Sequence, residues 1–257
     1  MKESPVANKK IYFISDIHLG APNESDSRTR ELLVIQWLEM ARKDAGKIFL
    51  VGDLFDFWFE FKEVVPKGYT RFLGKLAEIA DCGIEIIIFG GNHDMWLDDY
   101  FQKEIGATIL REPQSFIFYN TSFFIGHGDG LGPGDYLYKG LKVLFESPIA
   151  RFLFGRVLHP NLALRLGYAW ANHSWRSHVI KDDVYHFEGK DKEILYAFCQ
   201  EMEKKQHHDF YIFGHRHLCL DLEINKSSRY INLGDWVQLY SYAVFDGKEL
   251  KQIYFSS

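Results

Sequence analysis

The chain has 257 residues, of which 47% are hydrophobic and 25% charged, a composition that supports one large globular domain with a sizeable core. Its net charge of -5 argues against a nucleic-acid-binding protein that acts through bulk positive charge. Three widely separated cysteines fit neither a disulfide framework nor a thiolate zinc site. The polar N-terminus lacks the apolar core of a signal peptide, and no apolar segment is long enough to span a bilayer, so we expect a cytoplasmic protein.

Five short apolar runs, rich in Ile, Phe and Val, predict strands that are buried on both faces. They cover residues 11–14, 48–51, 84–89, 122–125 and 211–213. Apolar residues at helical spacing predict helices over residues 28–44 and 70–80, between the first three of these strands. The alternation of buried strands and helices predicts an α/β fold with a layered sheet.

Two regions depart from this alternation. Residues 230–233, 240–245 and 250–255 predict antiparallel strands that close the fold. Residues 135–188 are helical in pattern, aromatic and basic, and they predict a helical cap inserted into a single domain that spans residues 1–257. The alternative for the many Leu and Phe residues of this insert is an ordinary part of the core.

Polar side chains with metal-binding groups follow each of the five apolar runs. They are Asp16, His18, Asp53, Asn92, His127, His215 and His217. In open α/β sheets, ligands bind outside the carboxyl ends of the strands, and this rule brings the seven side chains together. A lone aspartate in such a position is usually a turn residue or a helix cap, and a lone histidine is usually a core residue. Seven of them at five strand ends favour a metal site.

Oxygen and imidazole ligands without thiolates suit Mn, Fe, Zn or Co better than a structural zinc site. Seven ligands are too many for one catalytic ion that must leave room for water. They fit two ions that share one carboxylate, for which Asp53 is the natural choice, and such pairs promote in-line phosphoryl displacement. We therefore expect two divalent metal ions, with Mn²⁺ as the first choice.

These residues also carry a resemblance to a known family. The blocks are DIH at Asp16, GDLFD at Gly52, GNHD at Gly91, GH at Gly126 and GHRH at Gly214. In this order they resemble the calcineurin-like metallophosphoesterase superfamily, over nearly the whole chain. The resemblance implies a four-layer α/β/β/α sandwich with the inserted helical cap.

The resemblance also implies specific roles. The first ion would be held by Asp16, His18, Asp53 and His217, and the second by Asp53, Asn92, His127 and His215. His93 would stabilise charge on the phosphoryl group or protonate the leaving oxygen, and Asp94 would orient His93. Asp56 would be a supporting or structural acid rather than a ligand.

A narrower resemblance rests on four features of the sequence: GDLFDFW, HGDGLG, the cap and LGDW. Together they resemble the corresponding parts of the UDP-2,3-diacylglucosamine hydrolases of lipid A biosynthesis. It implies cleavage of the pyrophosphate of UDP-2,3-diacylglucosamine to UMP and 2,3-diacylglucosamine 1-phosphate (lipid X). It also implies a peripheral position on the cytoplasmic face of the inner membrane, with no nucleic acid and no obligate protein as partner. The implied substrate contacts are Asn92, His93, Asp135, His173, Ser174, Arg176 and His215.

The cap fits such a substrate because its apolar side chains offer a surface for acyl chains. They are Leu141, Val143, Leu144, Phe145, Phe152, Leu153, Phe154, Val157 and Leu158. The well-known branch of these hydrolases usually carries Arg at the position of His93, which leaves open a sister branch that acts on the same lipid or on another nucleotide diphosphate.

Two other classes of function compete with this hypothesis. A soluble metallophosphoesterase that acts on another phosphodiester would have no need of a long apolar insert beside the metals. A non-enzymatic scaffold on the same fold would have degraded ligands, whereas all seven are intact.

Overall fold

The computed structural model of the protein describes residues 9–132, 136–178 and 186–256. Its α-helices span Glu24–Ala41 (α1), Thr70–Asp81 (α2), Tyr136–Glu146 (α3), Pro148–Phe152 (α4), Pro160–His178 (α5) and Ile194–Lys205 (α6). Its strands span Lys10–Ile14 (β1), Ala45–Val51 (β2), Glu85–Phe89 (β3), Thr108–Leu110 (β4), Gln114–Phe118 (β5), Thr121–Ile125 (β6), Phe210–Phe213 (β7), Cys219–Asn225 (β8), Ser228–Leu233 (β9), Ser241–Phe245 (β10) and Leu250–Tyr254 (β11). Short π-helical turns cover Phe101–Ile105 and Leu153–Val157.

The strands form two sheets. The first has the order β11-β10-β1-β2-β3-β4, in which β1 to β4 are parallel and β10 pairs antiparallel with β1. The second has the order β5-β6-β7-β9-β8, with parallel pairing of β6, β7 and β9 at its centre. The buried apolar runs therefore lie in the parallel parts of both sheets, as parallel strands that are covered on both faces require.

The two sheets pack face to face through an aromatic interior. The rings of Phe13 and Phe49 stack with centroids 5.1 Å apart, and Phe13 also stacks on Phe123 of the other sheet at 6.2 Å. Helices α1 and α2 cover the outer face of the first sheet, where Trp37 is fully buried, and α6 covers the second sheet, where Cys199 is buried. The predicted four-layer α/β/β/α sandwich is confirmed.

The helices α3, α4 and α5 lie in the segment predicted as a cap, between β6 and α6. They pack on the aromatic loop that follows β2, where Phe57 and Phe59 contact the cap side chain of Phe154 at centroid distances of 6.3 and 4.8 Å. Gly167 of α5 lies directly against the ring of Phe57, so that any side chain at this position would overlap the ring. Within the described ranges, none of the helices combines the length and apolarity needed to cross a membrane.

Three strands were not predicted from the sequence. β4 has only three residues, and β5 and β8 lie at the two edges of the second sheet. Exposure alternates along β8, as expected for a strand with one solvated face. Its sequence therefore lacks the continuous apolar run that marks the interior strands.

Candidate metal centre

The parallel strands β1, β2 and β3 end at one edge of the first sheet, and β6 and β7 end at the matching edge of the second sheet. The seven predicted ligands follow these strand ends. Five of them have a left-handed backbone, with φ between 47° and 67°: Asp16, His18, Asp53, His215 and His217. Non-glycine residues rarely adopt this conformation, and its concentration at one edge of a sandwich is typical of a functional site.

A first group of side chains converges around Asp16. Its Oδ1 lies 3.4 Å from Nε2 of His217 and 3.8 Å from Nε2 of His18, and the two imidazole nitrogens are 3.3 Å apart. Asp53 joins this group because its Oδ2 lies 3.7 Å from Nε2 of His18. The structure thus brings together the four residues that the resemblance assigned to the first ion.

A second group of side chains converges on the same oxygen, Oδ2 of Asp53. Oδ2 of Asp53 lies 3.3 Å from Nε2 of His127, which in turn lies 3.2 Å from Oδ1 of Asn92. Nδ1 of His215 lies 3.0 Å from the same Asn92 oxygen. Oδ2 of Asp53 therefore stands between the two groups, the position that a bridging ligand requires.

The second oxygen of each carboxylate stabilises the backbone of a neighbouring loop. Oδ2 of Asp16 accepts a hydrogen bond from the backbone N–H of His215 at 2.9 Å, and Oδ1 of Asp53 accepts one from His93 at 2.8 Å. Gly91 approaches Asp53 so closely that a side chain there would overlap its carboxylate. Each carboxylate is thus held by one oxygen while the other faces the centre.

Hydrogen bonds at Nδ1 fix the orientation of two imidazoles. Nδ1–H of His127 donates to the carbonyl oxygen of Val51 at 2.9 Å, and Nδ1 of His217 lies 3.0 Å from Oδ2 of Asp235. In both rings Nε2 is then the nitrogen whose lone pair faces the centre, as in the carboxylate-oriented histidine ligands of metal sites.

These side chains fit divalent metal ions. The atoms that face one another across the centre are carboxylate and amide oxygens and imidazole nitrogens. Each of them presents a lone pair, so a cation between them satisfies the whole group. Among the described residues, the buried Oδ1 of Asp16 has no hydrogen-bond donor. Bonds of about 2.1 Å to one ion would leave cis ligand atoms about 3.0–3.4 Å apart, close to the separations of 3.0–3.8 Å found here.

The electrostatics of the site also favour cations. Burial disfavours a charged imidazole at His18, but the nearby carboxylates of Asp16, Asp56 and Asp53 outweigh burial and raise the pKa of His18 to about 10. Burial likewise opposes ionisation of Asp53, yet the neighbouring His127 and His93 hold the pKa of this carboxyl well below its usual range. The cluster of buried carboxylates therefore stabilises positive charge at the centre.

His93 stands beside the first group, with its ring centroid 4.8 Å from that of His18. Its Nδ1–H donates to the carbonyl oxygen of Asp56 at 2.9 Å, and Oδ1 of Asp56 lies 3.5 Å from the same nitrogen. Asp94 instead accepts backbone hydrogen bonds from Leu54 at 2.7 Å and from Gly91 at 2.8 Å. The group in contact with the His93 ring is therefore Asp56, and Asp94 braces the loops that carry Asn92 and Asp53.

Some predicted substrate contacts lie outside the described residues. Asn92, His93 and His215 are at the centre. Asp135 lies outside the described ranges, and so do the side chains of three predicted residues of α5, namely His173, Ser174 and Arg176.

An apolar cavity of 470 Å³ lies between the cap and the aromatic loop. Its walls include Phe57, Trp96, Phe145, Phe154, Leu158 and Trp170. The ring of Trp170 is 6.4 Å from that of His93, so one wall of the cavity lies next to His93. We refer to this space as the apolar cavity.

The sequence predicted only part of this lining. Five of the nine apolar cap residues line the apolar cavity: Phe145, Leu153, Phe154, Val157 and Leu158. Val143, Leu144 and Phe152 are instead 71%, 56% and 61% exposed, and the side chain of Leu141 is outside the described residues. Among the walls that the sequence did not predict, Phe57 and Trp96 come from loops of the sandwich, whereas Ala150, Leu166, Gly167 and Trp170 come from the cap.

Asp235 is another residue of the site for which the sequence predicted no role. It is fully buried, and its Oδ1 accepts backbone hydrogen bonds from Gln238 and Leu239, both at 3.0 Å, while Oδ2 faces His217. Its place in LGDW was visible in the sequence, but its contact with a ligand histidine depends on tertiary structure.

We expect Asp235→Asn to weaken Mn²⁺ binding about 10–100-fold, because an amide cannot hold the His217 tautomer as a carboxylate does. The measurement is a calorimetric Mn²⁺ titration, together with the melting temperature to verify folding. Asp221→Asn, at an exposed aspartate paired with Arg229, is the matched control and should bind Mn²⁺ as the wild type does. Equal affinity in both variants would contradict the role given to Asp235.

Comparison with known proteins agrees with this geometry. Residues 9–219 match the calcineurin-like phosphoesterase family. The UDP-2,3-diacylglucosamine hydrolase of Porphyromonas gingivalis (strain ATCC BAA-308 / W83) is 40% identical, over 94% of this chain and 95% of its own. The protein of the same name from Vibrio atlanticus (strain LGP32) is 27% identical, over 92% and 93%. The solved structure of Yfce, a phosphoesterase from E. coli, aligns with a TM-score of 0.45 at 15% identity, over 96% of this chain and all of its own (100%).

The family match covers well over half of the chain, and the matched range includes all seven residues of the two ligand groups. The chain therefore belongs to the calcineurin-like phosphoesterase family.

Proposed function

We propose that this protein hydrolyses the pyrophosphate of UDP-2,3-diacylglucosamine, giving UMP and 2,3-diacylglucosamine 1-phosphate in lipid A biosynthesis. The observation that carries the proposal is an apolar cavity with one wall next to His93, whose ring lies 4.8 Å from that of His18 in the ligand groups that meet on Asp53. The 40% identity with a relative of that name along almost the whole chain supports it. We also propose that residues 1–257 form one domain, with residues 135–188 as its cap.

Two divalent ions, for which we propose Mn²⁺, would supply the charge that activates water and neutralises the phosphoryl oxygens. The first would be held by Asp16, His18, Asp53 and His217, and the second by Asp53, Asn92, His127 and His215. The burial of Asp16 and Asp53 keeps water away from the protein-facing side of the centre. The half-buried Asn92 and His215 lie on its open side, where a substrate phosphate would approach.

His93 would contact the reacting phosphoryl group. Because Asp56 occupies its Nδ1–H, Nε2 is the nitrogen left to face the substrate. The leaving group of a pyrophosphate is a phosphate monoester whose second pKa is about 6, so it needs little protonation. We therefore propose that His93 acts chiefly in its doubly protonated form, in which Nε2–H donates to a phosphoryl oxygen and stabilises its charge.

The apolar cavity would receive acyl chains. Its 470 Å³ falls within the range of about 300–1,000 Å³ that is usual for small-molecule sites. Each methylene removed from water contributes about 0.8 kcal/mol, so binding energy from the chains can position the pyrophosphate at the metals.

The outer surface of the cap would rest on the cytoplasmic face of the inner membrane. Ile149 and Phe152 of α4 are 74% and 61% exposed, and the exposed Arg156 and Arg165 follow in the π-helical turn and in α5. Exposed apolar side chains among arginines are typical of surfaces that bind anionic lipid headgroups.

The test is UMP release from UDP-2,3-diacylglucosamine by the Mn²⁺-loaded protein. We expect hydrolysis that stops on chelation and returns with Mn²⁺, and that is at least about 10²-fold faster than with UDP-N-acetylglucosamine, since burial of only about four methylenes supplies this factor. Equal rates on both substrates would exclude a role for the apolar cavity. No UMP release, with continued cleavage of bis-p-nitrophenyl phosphate, would point to another phosphodiester or nucleotide diphosphate as the substrate.

A further inference from the structure

Two small cavities with charged side chains in their walls adjoin each other, and the first of them lies against Trp96. They have volumes of 160 and 230 Å³ and share the walls Gly90, Arg111, Glu112 and Lys142. Trp96 lines the first of them and also the apolar cavity, so its indole separates a polar space from an apolar one. We call the two polar cavities together the polar groove.

The polar groove reaches the second group of metal-binding side chains. Gly91, in its wall, lies against the carboxylate of Asp53, and His127 forms part of the wall of the larger cavity. A molecule in the groove would therefore have one end at the proposed bridging carboxylate. A substrate that spans the metal centre has room on two sides, one apolar and one polar.

The lining of the polar groove combines donors and acceptors. The guanidinium of Arg111 donates through one nitrogen to the carbonyl oxygen of Leu97 at 2.9 Å and to Oδ1 of Asp98 at 3.3 Å, and within the described part of the chain its other N–H groups remain available for a ligand. Lys142 extends from the cap and donates to the buried Asp129 at 2.8 Å, and Glu112 adds an exposed carboxylate. A plain anion site would have cations alone, whereas a ribonucleotide offers phosphate and carbonyl acceptors as well as hydroxyl and N–H donors.

We propose that the polar groove binds the nucleoside monophosphate half of the substrate, with Arg111 donating to its acceptors and Glu112 accepting from its ribose hydroxyls or its base N–H. This inference rests on the proposed function, and it deepens it by assigning the two halves of the substrate to opposite sides of Trp96. Carboxylates bind ribose hydroxyls in the same way in dinucleotide-binding folds.

The experiment measures binding of UMP and of inorganic phosphate to the Mn²⁺-loaded protein by calorimetry. We expect Arg111→Ala and Glu112→Ala each to weaken UMP binding about tenfold, as loss of a hydrogen bond to a charged group does. Inorganic phosphate, which occupies only the metal centre, should bind Glu112→Ala within about twofold of the wild type. Arg229→Ala and Glu249→Ala, at exposed residues with partners Asp221 and Lys251, are the matched controls.

Unchanged UMP affinity in both groove variants would overturn the inference, and so would wild-type protein that binds UMP no more tightly than phosphate. These outcomes are separate from failure of the proposed function. If the wild type releases no UMP from UDP-2,3-diacylglucosamine but the groove variants lose UMP affinity, the nucleotide site stands and the lipid substrate is wrong. If the wild type releases UMP and the variants bind it normally, only the assignment of the groove fails.

Discussion

Asp53→Asn is expected to lower the rate of UMP release at least about 10³-fold, the largest effect of any single substitution in this protein. The amide keeps the size of the side chain but removes the negative charge from the oxygen that lies between His18 and His127. Both ions lose a ligand at once, so metal content should fall below two per chain when measured by mass spectrometry after gel filtration.

Asp99→Asn provides the matched control, because this exposed aspartate pairs only locally with Lys103 in the part of the chain that the structure describes. It should retain full activity and full metal content. If Asp53→Asn kept two tightly bound ions, Asp53 would not be the bridging ligand, whatever its effect on the rate.

His93→Ala is expected to lower kcat about 10²–10³-fold with both metal ions retained. His93 contacts Asp56 and stands beside His18, but it belongs to neither of the two groups of converging ligand atoms. The measurement is kcat on UDP-2,3-diacylglucosamine together with metal content, and His207→Ala, at a half-exposed histidine on the opposite side of the fold, is the control.

A series of phosphodiesters with leaving groups of different pKa distinguishes the two roles of His93. Stabilisation of charge on the phosphoryl oxygens predicts the same loss for every leaving group. A loss that increases with the pKa of the leaving group would show instead that His93 protonates the leaving oxygen. A loss of metal from His93→Ala would contradict both roles, because the residue would then act through the ions.

The interior strands were predictable because a strand that is buried on both faces consists almost entirely of apolar residues. β1, β2, β3, β6 and β7 are apolar runs, and the structure moves their ends by no more than three residues. β5 and β8 escaped prediction because these edge strands alternate half-buried and exposed residues, and β8 also carries the charged Asp221 and Glu223, a pattern shared with loops. Turns such as Tyr119-Asn120, both with positive φ, carry no glycine to mark them.

The ligands were predictable because chemistry limits which residue types bind metals and topology limits where they lie. The supporting residues were not. Asp56 and Asp235 contact His93 and His217 only after distant segments pack together, and no local pattern records such a contact. The same holds for the apolar cavity, since Phe57 and Trp96 are 74 or more residues from Trp170, a cap residue whose ring lies 6.4 Å from that of His93.

The left-handed backbone of five metal-binding residues has a consequence for the rest of the chain. Each such conformation costs about 1–3 kcal/mol, so five together are comparable with the 5–15 kcal/mol of net stability of a typical domain. The aromatic interior, in which Phe13, Phe49 and Phe123 stack between the sheets, has to offset that cost. Substitutions at Phe13, Phe49 or Phe123 that loosen this interior should therefore impair catalysis before they unfold the protein.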